Sequence, residues 1–413
     1  MKAKRLSKAP RLDRITTLPQ TIIETVLCLL PIEEAARTSI LSREWRYKWT
    51  TIPKLVFYKS TIKTSTKQIT VKELRCKLFC AIHQVLLLRQ APILDFTLRI
   101  SADDTYFEID QIILHLSRNH TIMKLRLDFL GLSSYRLPLS FFSLRHLTDL
   151  YLEYCDIGHE PTFNGFGNLT SLSLSKLSIS RKSLLHLLSN CPSLKSFSLL
   201  IDDEEFYGPE RPNIMELFKS LPVIEHLTTW GYITPVIFIH IIRIYKVKEK
   251  RSNLIFNCFF GLWLKSFIVD SVPQELSTSL IHLKYFCFEQ MGIVNRDGYA
   301  FGLTFLLVLL KCSPNLERIK LETNTDEDYD VESVNLEDYS DIFEEYSDVW
   351  LEHLNELKFR FFSNLKPELE LLKFILARSP NLKKVILPTY TSDTKEEVEL
   401  LQSLLHITGT NPC

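Results

Sequence analysis

Residues 169–200 read LTSLSLSKLSISRKSLLHLLSNCPSLKSFSLL. Leu169, Leu172 and Leu174 set out a pattern: an aliphatic residue, two variable positions, an apolar residue, one variable, another apolar. Leu194, Phe197 and Leu199 repeat it 25 residues later. The closing x-L-x-L alternation has the period of two that marks a short strand with one face inward. Between the copies Ser183–Leu188 forms a helical run. Cys191-Pro192-Ser193-Leu194 then suits a helix exit, because proline cannot continue the helix. A single unit of this kind cannot bury its apolar face, whereas stacked neighbours can.

The motif extends in both directions. Ile93/Phe96/Leu98, Ile122/Leu125/Leu127 and Leu147/Leu150/Leu152 precede it. Ile224/Leu227, Leu280/Leu283/Tyr285, Leu316/Ile319/Leu321, Leu354/Leu357/Phe359 and Leu382/Val385/Leu387 follow. The leading residues from Ile93 to Ile224 are spaced by 29, 25, 22, 25 and 30 residues, around the roughly 20–29 period of leucine-rich repeats. The helix exit recurs as CSPNL at 312–316 and RSPNL at 378–382, after the helical runs Phe305–Leu310 and Glu370–Ala377. The expected fold is α/β, an irregular leucine-rich-repeat solenoid over residues 91–349. Regularity lapses between 230 and 280, where Leu264/Phe267/Val269 offers one further strand.

Ahead of the array stands a different pattern, LPQTIIETVLCLLPIEEAARTSILSREWRYKWTTIPKLVF, from Leu18 to Phe57. Ile22, Ile23, Val26, Leu27, Leu29 and Leu30 recur at helical spacing over a wide face, and Pro31 ends the segment. Glu33 and Glu34 suit the first turn of a second helix running through Ala35, Ala36, Ile40 and Leu41. Ser42 is a fitting cap for a third, short helix carrying Trp45 and Trp49, closed by Pro53. About forty residues hold little core of their own. The unit is either a minimal self-contained bundle or a module whose apolar face and aromatic anchors belong to a protein partner.

Composition narrows the function. The 413 residues carry 49 basic and 49 acidic side chains, so no global charge points to nucleic acid or an anionic membrane. The basic start, with Lys2, Lys4, Arg5, Lys8, Arg11 and Arg14, reads as a flexible tail and not a signal peptide. Lys246, Lys248, Lys250 and Arg251 are interrupted by Glu249 and read as a solvated loop. Acidic residues 322–348 contain no Lys or Arg and form a loop, either solvated or substrate-contacting, anchored by Tyr329, Tyr339, Phe343 and Tyr346. Ile233–Tyr245 and Phe301–Leu310 fall short of the roughly 20 apolar residues of a membrane span. Nine cysteines without a framework suggest reduced thiols. Cys76, Cys80 and His83 lack a fourth ligand for zinc. No GxxxxGK[ST], GxGxxG or HExxH motif occurs. A non-enzyme with no metal or cofactor, in the nucleus or cytoplasm, is expected.

LPQTIIETVLCLLP, then TSILSREWRYKW, then a proline and LVF, resemble the F-box of plant F-box proteins. The chain as a whole resembles the F-box/FBD/leucine-rich-repeat group. The resemblance divides it into a tail (1–11), a three-helix F-box (12–58), a connector (59–90), repeats (91–349) and an FBD-like capping segment (350–413). It implies that the head docks on a Skp-type adaptor and through it on cullin and RING subunits. Leu18 and Pro19 would open that contact, with Ile22, Val26 and Leu30 lining the first helix. Pro31 would make the bend, Ile40 and Leu41 would continue the surface, and Trp45 with Trp49 would complete it or pin it to the repeats. Gln20 departs from the acidic residue more usual after the Leu-Pro pair, a change that would weaken a cap.

The expected role is the substrate-recognition subunit of an SCF-type cullin–RING ubiquitin ligase, with a client protein on the repeats. The client and its contact residues are not legible. Two other roles remain open: reception of a small molecule by the repeats, and a ligase-independent scaffold bound to the adaptor.

Overall fold

The computed structural model describes residues 17–58, 70–101, 106–119, 121–130, 134–158, 165–200, 221, 223–230, 280–291, 301–323, 339–360, 362 and 366–388. The basic start, the 246–251 run, the Leu264/Phe267/Val269 motif, Tyr329 and most of the acidic stretch lie outside these residues. The chain divides into two units, Met1–Leu147 and Thr148–Cys413.

In the first unit, α1 (Gln20–Cys28) starts behind Pro19 and α2 (Ile32–Arg37) behind Pro31. Glu33 and Glu34 occupy the first turn of α2, where the helix dipole favours them. The second helix is shorter than its pattern implied, passing at Thr38–Ile40 into a 3-10 turn. The third expected helix is wound tighter still. The Ser42 hydroxyl accepts from the backbone N–H of Trp45 at 3.4 Å, and a 3-10 turn covers Lys48–Thr51. Strand β1 (Lys54–Tyr58), the LVF segment, pairs in parallel with β2 (Asp95–Ser101), which pairs with β3 (Lys124–Leu130). Helix α3 (Val71–Leu87) links β1 to β2 and α4 (Tyr106–Asn119) links β2 to β3, as parallel strands require a crossover. A capping box starts α3: the Thr70 hydroxyl accepts from the Glu73 N–H while the Glu73 carboxylate accepts from the Thr70 N–H.

The second unit is a ladder of parallel strands in which each strand pairs with the next in the chain. They are β4 (Asp149–Glu153), β5 (Ser171–Ser175), β6 (Ser196–Leu200), β7 (His226–Trp230), β8 (Tyr285–Met291), β9 (Arg318–Thr323), β10 (Glu356–Arg360) and β11 (Lys384–Ile386). Helices α5 (Arg181–Ser189), α6 (Phe301–Cys312), α7 (Tyr339–Glu345) and α8 (Lys366–Ala377) lie in the connections. The apolar run that opens at Phe301 is α6, whose Leu303, Phe305, Leu306, Leu307, Leu309 and Leu310 are all buried. Among the described residues no helix is long and apolar enough to cross a membrane.

Apart from β11, where Val385 of the expected motif is exposed, each strand sends two residues inward, and register aligns them into rows: Leu172 with Phe197, Leu174 with Leu199, Ile319 with Leu357, Leu321 with Phe359. All are buried. A second repeating device is the backbone at each strand start. The Thr170 carbonyl accepts from the N–H groups of Lys195 and Ser196, Lys195 from Glu225 and His226, Glu225 from Lys284 and Tyr285, and Lys284 from Glu317 and Arg318. The Pro/Asn turns contribute side chains as well. Ser193 donates to the Gly167 carbonyl, Asn315 to Ile281 and Asn381 to Glu352, each at 2.8 Å.

One repeat frame needs correction. The motif Leu280/Leu283/Tyr285 is displaced by three residues, because Phe286 and Phe288 are the inward pair and Tyr285 faces outward, half-buried. Leu280 and Leu283 form the turn before the strand, with the Leu283 N–H bonded to the Leu280 carbonyl. Apolar residues three apart fit both frames equally well.

Candidate functional site

The head is organised around a small core of Ile23, Leu27, Ile32, Ala35, Trp45, Trp49 and Ile52, all buried. Ile23 and Leu27 are four apart on α1, so the remaining apolar residues of that helix are turned away from the core. Ile22, Val26 and Leu30 are exposed, as are Leu18, Pro19 and Pro31. Ile40 and Leu41, at the end of the 3-10 turn, are 84% and 66% exposed. Eight of the ten residues singled out in the sequence are therefore exposed on the head, six of them large aliphatic side chains.

Trp45 and Trp49 differ, being only 6% and 8% exposed. Both rings lie in the core of the head itself. Tyr47, between them, is exposed, and the 3-10 turn begins at Lys48. Tyr47 and Leu29, which is 81% exposed, lie at the surface as well, although the sequence reading did not single them out as contacts. Leu29 carried a signal, its place in the apolar run, but the run is apolar all round and does not reveal which side is covered.

Gln20 does not cap α1; no side chain caps that end. Its amide donates to Glu24 at 2.9 Å and to the Thr51 hydroxyl at 3.1 Å, and its carbonyl accepts from Lys48 at 3.0 Å. Thr51 in turn donates to Glu24 at 2.7 Å. A neutral amide here ties the start of α1 to the turn that carries Trp49, a bond set in which an amide both donates and accepts.

The head is also tied to the strands that follow. The Pro53 carbonyl accepts from Leu94 and Asp95, and the Thr50 carbonyl accepts from Gln90. The guanidinium of Arg89 donates to the Ile52 and Ala91 carbonyls, and burial lowers its pKa to about 10 against the opposing pull of Cys28 and Glu24.

Elsewhere, Cys76 and Cys80 are exposed on α3, and the His83 Nδ1–H donates to the Phe79 carbonyl. Among the described residues no three His, Cys, Asp or Glu side chains are grouped as metal ligands. Phe343 packs on Phe374 at 5.2 Å and Tyr346 is buried, so the end of the acidic stretch is anchored.

Comparison with known proteins places these features. A family model described as the LRR repeats of FBD-associated F-box protein At5g56370 matches residues 113–215. The chain is 31% identical to F-box/FBD/LRR-repeat protein At1g13570 of Arabidopsis thaliana, over 97% of each chain. It is 26% identical to FBD-associated F-box protein At5g56370 of the same plant, over 90% of this chain and 89% of the other. Among solved structures, the leucine-rich repeat-containing protein LegL7 from Legionella pneumophila aligns over 89% of this chain and 94% of its own. Identity there is 14% and the TM-score 0.36, a likeness too slight to argue from.

Proposed function

The chain belongs to the F-box/FBD/LRR-repeat family, and from that premise we propose that it is the non-catalytic, substrate-recognition subunit of an SCF-type cullin–RING ubiquitin ligase. The head docks on a Skp-type adaptor, which connects it to the cullin and RING subunits, while the repeats hold a client protein. The observation that carries this reading is the exposed aliphatic surface of Leu18, Ile22, Val26, Leu30, Ile40 and Leu41 on a head whose tryptophans are already spent on its own core. So many large apolar side chains exposed on so small a unit are the mark of a protein interface. The subunit would act by position, raising the local concentration of client beside a charged conjugating enzyme.

Mixing the purified chain with a Skp-type adaptor tests this. The expected result is a one-to-one complex by size-exclusion chromatography. Ile22→Glu with Ile40→Glu removes it while leaving the circular dichroism melt unchanged. A folded double variant that binds the adaptor as well as the native chain would sink the assignment of this face.

A further inference from the structure

We propose that the outward face of the second unit's sheet over β7–β10, centred on Tyr285, Arg318, Lys320 and Lys358, holds the client, and that the segment it takes is an acidic peptide. This rests on the receptor reading above and supplies the partner chemistry that reading leaves open.

Side chains alternate along a strand, so residues between the buried rows face away from the core. Register sets His226 beside Tyr285 and Tyr285 beside Arg318. The imidazole and phenol centroids are 5.9 Å apart, and the guanidinium lies 5.4 Å from the Tyr285 ring. The Tyr285 ring steadies an exposed Arg318, whose planar fork suits a carboxylate. In the next outward row Lys320 stands directly opposite Lys358. Like charges across neighbouring strands are destabilising unless something neutralises them.

The nearby carboxylates do not fully do so. Glu322 pairs with Arg360 and Glu356 with Lys384, each at 3.1 Å, and Glu317 pairs with Lys284 at 3.6 Å. Glu289 reaches Lys320 only at 3.9 Å. Arg318 and Lys358 make no ion pair among the described residues. Burial holds the Tyr285 phenol and the Cys287 thiol above their ordinary ranges, so both stay neutral and leave the positive charge in place. On β5 and β6 the corresponding outward positions are Ser171, Ser173, Ser196 and Ser198, which bounds the cationic patch on that side.

Six cations interleaved with four glutamates leave a small positive excess, which fits a short acidic segment better than a continuous phosphate backbone. Nucleic-acid sites gain affinity from about 6–10 phosphate contacts.

Fluorescence anisotropy of a labelled poly-glutamate peptide with the full chain tests the idea. Binding is expected to weaken as salt is raised. It should fall on the order of 10-fold or more in Arg318→Glu with Lys358→Glu, while Lys54→Glu, in the first unit, leaves it unchanged. Should the reversal variant not fold, Arg318→Gln and Lys358→Gln singly should each weaken binding. No binding by the folded native chain, equal binding by the charge-altered variants, or tighter binding of a single-stranded RNA of equal charge would overturn the proposal. Adaptor binding, measured separately on the same variants, should be intact. If the native chain failed to bind the adaptor, the receptor reading would fall while the peptide readout stood by itself.

Discussion

Trp45 and Trp49 belong to the head's interior and Leu29 and Ile40 to its surface, and substitutions should separate the two sets. Trp45→Ala is expected to cost about 3–5 kcal/mol, the range for emptying a large aromatic site in a core. Leu29→Asp should change stability by no more than about 0.5 kcal/mol, because the side chain meets water in the free chain. Urea titration followed by fluorescence reports both. The bounds of α1 and the exposed Ile22, Val26 and Leu30 were legible, the first from the prolines at 19 and 31 and the second only through the F-box resemblance, because the run itself is apolar all round. The indoles were not. Their four-residue spacing marks one face of an α-helix but does not say whether that face is covered, and the turn between them is 3-10 at its end. Gln20 illustrates the same limit: its partners Thr51 and Lys48 are about thirty residues away in the chain.

At the scale of an element, the β5–α5–β6 repeat depends on a close approach at its start. Gly165 has φ +77, and a Cβ there would lie 2.0 Å from the Asn190 carbonyl oxygen, the residue that ends α5. Neither the left-handed backbone nor the backbone neighbour yields easily. Gly165→Ala is therefore expected to destabilise by about 2–4 kcal/mol, lowering the midpoint of denaturation. An unchanged midpoint would mean the turn relaxes freely. Tyr154 and Lys176 also have positive φ, 54 and 48, each just past the end of its strand. Their backbone N–H groups still bond forward, to the Ser175 and Leu200 carbonyls. Lys176 also donates to the Tyr154 hydroxyl at 2.8 Å. The ladder thus continues one residue beyond the strands, and the twist it demands holds ordinary residues in a conformation that glycine would accept more readily. None of this shows in a pattern of apolar residues, which also misframed β8.

At the scale of the whole molecule, the buried thiols and phenols predict an alkaline limit. Burial pushes the thiols of Cys191 and Cys287 up, that of Cys312 up to about 11 from 9.0, and the phenols of Tyr285 and Tyr346 up as well. The unfolded chain releases these protons at lower pH than the folded one, so stability is full below pH 9 and falls as pH rises towards 11. Cys312 alone accounts for up to about 3 kcal/mol of that fall. Melting temperatures measured from about pH 8 to pH 10.5 should drop, and less steeply in Cys312→Ala. A flat profile would show that these groups are solvated in the folded chain.

The sequence by itself determined the repeat and its period, the proline-bounded helices of the head and the family the chain resembles, because each follows from local spacing of apolar residues and from proline's missing N–H. Only the tertiary structure decided which apolar residues are covered, that the LVF strand pairs with the strand beginning at Asp95, and which outward cations stand together. Those depend on register between segments tens of residues apart. Register is set by the joint packing of all the repeats and is not written in any one of them.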